Sequence, residues 1–136
     1  MVVALYACIM AFMFLVLSYR VIFLRYKRKI PVGDGGDKEM MTLIQARSNI
    51  VDYVPLALLM MLILEILGTK ALFLHGFGLS IIVSRLLQGW GLSVSSGGSW
   101  GRISGAILMH IALATEALLC LWNYIIFNDS ILAVLF

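Results

Sequence analysis

Hydrophobic residues along the chain fall into four long blocks, at about 2–24, 39–67, 71–92 and 103–127, separated by short polar stretches. Each supplies the roughly 20 residues a helix needs to cross about 30 Å of hydrocarbon. Inside a bilayer every backbone polar group must be satisfied internally, which a helix does on its own. The pattern therefore predicts an all-α, integral membrane four-helix bundle, with residues 1–136 as one domain. The second block is longer than a bilayer requires, so its first turns are predicted to project beyond the hydrocarbon. The apolar tail at 131–136 is too short to cross and is expected to tuck against the bundle or the interface.

The breaks between blocks carry ordinary turn chemistry. Pro31-Val32-Gly33-Asp34-Gly35-Gly36-Asp37 is a polar, glycine-rich loop, Gly68-Thr69 ends the second block, and Ser93 to Gly101 joins the last two. No internal repeat is visible.

Polar residues inside the blocks are fewer and more telling. The start of the second block reads Gln45-Ala46-Arg47-Ser48-Asn49-Ile50-Val51-Asp52-Tyr53-Val54-Pro55. An Arg or Asp at a helix centre costs roughly 2.5–3.5 kcal/mol on insertion scales, so such residues face other helices or a polar cavity. Gln45, Asn49, Asp52 and Leu56 fall at i, i+4, i+7 and i+11 and share one stripe. Arg47 lies about 160° from Asn49 and must meet a different neighbour. Pro55 removes a backbone donor and crowds the preceding turn, which predicts a kink near Val51. On the third block Arg85 and Gln88 share a face. On the fourth, Arg102, Met109, Glu116 and Asn123 recur every seven residues, with His110 one step off that stripe.

Composition settles the class. Of the 136 residues 62% are hydrophobic and 12% charged, about half the usual globular share, and the mean hydropathy is +1.04. A formal charge of +3, with no interleaved aromatic and basic surface, argues against nucleic-acid binding. Cys8 and Cys120 both lie in apolar runs without CxxC or metal-ligand spacing and read as small core or lipid-facing residues. No metal site is expected. The N-terminus lacks a basic n-region and its apolar run is long enough to span, so a cleaved signal peptide is not expected.

Basic residues predict the orientation. Arg20, Arg25, Lys27, Arg28, Lys29 and Lys38 surround the first loop and Arg102 follows the third, whereas the middle loop carries only Lys70 and the termini carry none. The positive-inside rule then places the first and third loops in the cytoplasm and both termini outside it. The run Arg25 to Lys29 reads as a topology signal and a lipid-headgroup contact. The polar start of the second helix, the end of the third and the start of the fourth share one side, which is the argument for a site there.

Arg47, Arg85 and Arg102 cannot all be neutralised by Asp52, so the cluster calls for an anion. Arginine clamps carboxylates bidentately, and an acid can hold an ammonium group. A purely structural ion pair of Asp52 with Arg47 or Arg85 stands as the alternative. Glu116 and Asn123 read as hydrogen-bonding glue between helices, His75 as an interfacial residue and His110 as a satisfied bundle histidine. No nucleophile–base pair or phosphate loop is readable.

The four spans and the core Asn49-Ile50-Val51-Asp52-Tyr53-Val54-Pro55 resemble the membrane-associated proteins in eicosanoid and glutathione metabolism. Ala4-Leu5-Tyr6-Ala7 and Val32-Gly33-Asp34-Gly35-Gly36 resemble a bacterial inner-membrane branch of that family. The resemblance covers about residues 1–127. It implies a homotrimer in which glutathione, as co-substrate, binds between subunits near the cytoplasmic side while a small lipophilic ligand approaches from the membrane lipid. By resemblance Arg102 stabilises the glutathione thiolate, Asn49, Asp52, Tyr53 and Arg85 hold the peptide, and Gln45, Arg47 and Gln88 support them. Three departures stand out. Gln45 replaces the motif's arginine, Asp52 its more usual glutamate, and Gln88 and Leu92 replace third-helix tyrosines.

The resemblance therefore implies a glutathione transferase or peroxidase-like protein acting on lipophilic electrophiles. A non-catalytic binder or scaffold for lipids or partner helices is the alternative, favoured by Gln45, Gln88 and Leu92. A small multidrug exporter is disfavoured because the first span carries no carboxylate.

Overall fold

The computed structural model describes residues 1–94 and 100–135, and the side chains of residues 1–91 and 100–126. Four helices, α1 (Val2–Arg28), α2 (Lys38–Ile66), α3 (Ala71–Val94) and α4 (Trp100–Leu135), follow one another through short connections. Each is long and apolar enough to cross a membrane. The large hydrophobic side chains on the outer surface, among them Phe12, Phe23, Leu86 and Trp122, are exposed, as lipid-facing positions are.

Helix ends follow local chemistry. The Asp37 carboxylate caps α2 by accepting from the Met40 amide at 3.0 Å. It also lies 3.5 Å from Arg28, so the cap ties the end of α1 to the start of α2. At the far end of α2, Gly68 takes a positive φ of 80°. Its amide bonds the Glu65 carbonyl while the Thr69 amide bonds that of Leu64, at 3.1 and 3.0 Å, the paired closure of a Schellman turn. Lys29 adopts the same left-handed conformation after α1 without being glycine. Helix α2 continues through Pro55.

Two boundaries differ from the pattern reading. The apolar tail is not a separate segment: α4 continues to Leu135, because no Gly or Pro interrupts it. Helix α3 extends to Val94 and α4 begins at Trp100, which shortens the connection expected at Ser93–Gly101. Residues 95–99 of that connection lie outside the described residues, as does the Leu92 side chain.

The bundle is tightest between α3 and α4. Gly101 and Gly105 form a small-xxx-small pair that lets backbones approach. A Cβ on Gly105 would stand 2.6 Å from the Ser84 carbonyl oxygen and 2.9 Å from the Gln88 amide nitrogen. Helix α1 is attached by polar contacts at its first turn and by apolar packing along its length, with Met10 buried among Ile50, Val54, Ile81 and Met109. At its first turn, the Val2 and Val3 amides donate to the Glu65 carboxylate at 2.5 and 3.1 Å, a charge placed at a helix N-terminus. One turn on, buried Tyr6 packs against Gly78, where a side chain would collide with its ring. Its hydroxyl lies 2.9 Å from His75 Nδ1 and 3.2 Å from the His75 carbonyl. Near the first loop, Val21 and Leu24 bury against Met40 and Leu43. Helix α1 shares a core with α4 through side chains, Met10 lying in one cluster with Met109.

Glu116 and Asn123 do not make the expected cross-helix bonds, whereas Cys120 lies 3.8 Å from the Met60 carbonyl of α2. Asn123 donates to the Leu119 carbonyl of its own helix at 2.8 Å. Glu116 is fully buried, and neither carboxyl oxygen has a hydrogen-bond partner. Its seven-residue spacing from Met109 correctly marks an inward face, but the surrounding residues are apolar.

Two stability predictions follow from these contacts. Gly105→Ala should lower stability by about 1–3 kcal/mol through overpacking. Gly76→Ala, where a Cβ meets nothing within 4 Å, should leave it unchanged or slightly raised. Thermal midpoints in one detergent check the pair. Glu116→Leu, which removes an unpartnered buried carboxyl while keeping its volume, should hold or raise the midpoint by a few degrees; a large drop would mean that the carboxyl has a partner.

Candidate functional site

Arg85 is the centre of the polar interior. It is 5% exposed, and its Nη1 donates to the Asn49 carbonyl of α2 at 2.7 Å. Its Nε donates to Ser84 Oγ at 3.1 Å, and the guanidinium stands 5.7 Å from the centroid of the Tyr53 ring. Ser84 in turn donates to the Ile81 carbonyl at 2.7 Å and lies 3.6 Å from Met109 Sδ of α4. The other side of the Tyr53 ring system meets His110 edge-on, at 5.3 Å between centroids. His110 Nδ1 is 2.7 Å from the Ala106 carbonyl. A guanidinium–phenol–imidazole column thus joins α3, α2 and α4.

Asn49, Tyr53 and Arg85 are therefore brought together, and Gln88, 6% exposed, lies one turn along α3 with its Oε1 unpartnered. Arg47 is half-buried and its Nε is buried without a partner. Gln45 is half-buried and Asp52 exposed on the α2 stripe. The structural ion pair considered for Asp52 does not form. Among the described residues, the ion pairs join Arg28 to Asp37 and Glu39, and the Met1 amino group to Glu65. Arg85 turns to a carbonyl and a ring instead, because Asn49 and Tyr53, not Asp52, face α3. Arg102 is half-buried in the first turn of α4 and has a partner of its own. It follows Gly101, whose Cα side lies against Leu87 and Gly91 of α3, so the start of α4 sits on the end of α3. Among the described residues, no group of three or more His, Cys, Asp or Glu could hold a metal.

Arg85 and Gln88 also line a groove of about 1040 Å³ between α1, α2 and α3. Its α1 wall is apolar, with Phe12, Met13 and Val16, and Arg20, Lys38 and Glu39 also line it. Pattern reading counted Arg20 and Lys38 only as topology charges. The signal that could have separated Arg20 is its position: it interrupts the first apolar block five residues before the basic run begins.

Four membrane-length helices with an arginine-centred polar interior define a small integral membrane bundle. The chain belongs to the MAPEG family, whose model matches residues 3–122. It is 34% identical over 91 residues to inner membrane protein YecN of Escherichia coli strain K12, covering 67% of this chain and 70% of that protein. The same figures hold for inner membrane protein YecN of Escherichia coli O6:H1 strain CFT073. The chain is thus a membrane protein of the MAPEG family.

The Arg85–Tyr53 stack should be measurable by itself. The cation–π geometry predicts a coupling of about 0.5–2 kcal/mol in a double-mutant cycle of Arg85→Met with Tyr53→Leu. Tyr53→Phe keeps the ring and should leave the thermal midpoint nearly unchanged.

Proposed function

We propose that this protein is a glutathione-dependent transferase or peroxidase-like enzyme acting on lipophilic electrophiles from the bilayer. The observation that carries this reading is Arg85: a buried guanidinium with a carbonyl, a hydroxyl and an aromatic ring around it and no carboxylate. A cation held in that way keeps its charge available for an anionic ligand. Asn49, Asp52 and Tyr53 on α2 and Arg85 on α3 hold the peptide, with Gln45, Arg47 and Gln88 in support. Asp52, exposed and unpaired on a membrane-length helix, is suited to the glutathione ammonium or to a neighbouring subunit.

Arg102 acts electrostatically. A free thiol has a pKa near 8.5, and a neighbouring guanidinium stabilises the thiolate, the proton leaving to solvent. The thiolate sulfur then forms a C–S bond at the electrophilic carbon while the leaving group departs with its bonding pair and takes up a proton from solvent. The reading includes a homotrimer, since an exposed Asp52 and the half-buried Gln45 and Asn49 make a stripe that costs free energy against lipid unless a second copy covers it. It also includes a bacterial inner membrane, after YecN, with the basic first loop in the cytoplasm and both termini outside.

A non-catalytic binder is the second reading, favoured by the apolar groove and by Gln45 in place of a carboxylate-clamping arginine. Ultraviolet difference spectra of detergent-solubilised protein titrated with glutathione near neutral pH separate the two. The enzyme reading expects saturable thiolate absorbance that Arg102→Ala abolishes while the oligomer persists. Full signal from that variant would overturn the role of Arg102. No signal from the wild-type oligomer at millimolar glutathione would favour the binder.

A further inference from the structure

The groove between α1, α2 and α3 has the dimensions of one lipid leaflet. Along α1 it runs from Ile9 to Arg20 and along α2 from Ile50 to Lys38, a rise of about 16–18 Å at 1.5 Å per residue. That is about half of a 30 Å hydrocarbon core. Its volume, about 1040 Å³, is at the upper end of ordinary ligand cavities. The walls are polarised along this length. Ile9, Met13 and Ile50 form the end nearer the bilayer centre, where Arg85 also borders the groove but is 5% exposed and turned to the Asn49 carbonyl, and Arg20 and Lys38, both exposed, stand at the end nearer the first loop. The acid beside them, Glu39, has a carboxylate oxygen 3.4 Å from Arg28, so the net charge facing an occupant is positive.

We infer that this groove holds one acyl chain of an anionic phospholipid, with the lipid phosphate bound between Arg20 and Lys38. A largely apolar slot of one-leaflet depth, with the buried Arg85 already engaged by Asn49 and Ser84 and two exposed cations at headgroup level, matches a lipid of that charge. A zwitterionic lipid would bring its own cation to the same place. The groove is shared with the proposed glutathione site, since Arg85 and Gln88 line it too, but the lipid phosphate is placed on Arg20 and Lys38, which that reading does not use.

The test uses the full chain with Trp90 as its single tryptophan, Trp100 and Trp122 being replaced by Phe. Trp90 lines the groove. The protein is reconstituted in phosphatidylcholine vesicles containing a few mole per cent of lipid brominated on its acyl chain, either phosphatidylglycerol or phosphatidylcholine. Brominated phosphatidylglycerol should quench Trp90 with an apparent affinity on the order of tenfold higher than brominated phosphatidylcholine. Arg20→Gln with Lys38→Gln should bring the two lipids to parity without changing elution volume or thermal midpoint. Equal quenching by both lipids without the Gln substitutions, or a preference that survives them, would overturn the inference. So would efficient disulfide crosslinking of Phe12→Cys between copies, which would mean that a second copy fills the groove.

Discussion

The burial of one guanidinium governs how this bundle is put together. Arg85 has left water for a site between helices, where an isolated charge costs several kcal/mol. Its compensation comes from three groups on two helices: the Asn49 carbonyl, the Ser84 hydroxyl and the Tyr53 ring. None of these is itself charged. They fix the fork of the guanidinium without cancelling it, as a carboxylate would. The geometry requires α2 to present a carbonyl that already serves its own helix and still has a lone pair to spare. It also requires α3 to lie close enough to α4 for Ser84 to be covered, which Gly105 permits.

Once α2, α3 and α4 are set by that arrangement, α1 is the outlying element. It is pinned where the chain offers it polar or close-packing partners: the Glu65 carboxylate and Gly78 at one end, Arg28 with Asp37 and the Val21–Met40 contacts at the other. Between these clamps Met10 buries against α2, α3 and α4, and from there toward the first loop α1 leaves space toward α3. The groove is the consequence. In a water-soluble protein such a gap would expose apolar walls at a large cost, whereas in a bilayer hydrocarbon fills it at little cost. A loosely packed helix pair is therefore stable here in a way that depends on the solvent being lipid.

The helices were legible because their signal is long, about 20 apolar residues each, and needs no tertiary knowledge. The inward stripes of α3 and α4 were legible too: Arg85, Gln88, Met109 and Glu116 are all buried, as their spacing implied. What pattern could not reveal was the partner of each polar group. Reading side chains against side chains suggests Asp52 for an arginine, since a helical carbonyl such as that of Asn49 is invisible in a residue pattern. The same blindness assigned Glu116 a cross-helix bond that its apolar neighbours cannot supply. Arg20 was missed as a groove residue because its meaning depends on a gap between α1 and α3, a property of packing and not of α1. The span of α4 matches its apolar block, and the helix runs on past it because bilayer thickness limits a span, not a helix.

The positive charges of this chain fall into two physical populations, and the distinction bears on how the protein can discriminate among anions. Those of the first loop, Arg20 and Lys38 with Lys27 and Lys29, are exposed, stay hydrated and are screened over about 10 Å of electrolyte. They can attract an anion and set its depth, but geometry does little to select it. Arg85 is desolvated and its fork is held by fixed groups, so an anion reaching it meets a preorganised donor in a low-dielectric setting, where each contact counts for more. Because Arg85 and Arg20 both line the groove, the two populations share one space. An anion held at Arg20 or Lys38 can keep its water, whereas one reaching Arg85 must shed it, so discrimination between anions at the two ends rests on desolvation.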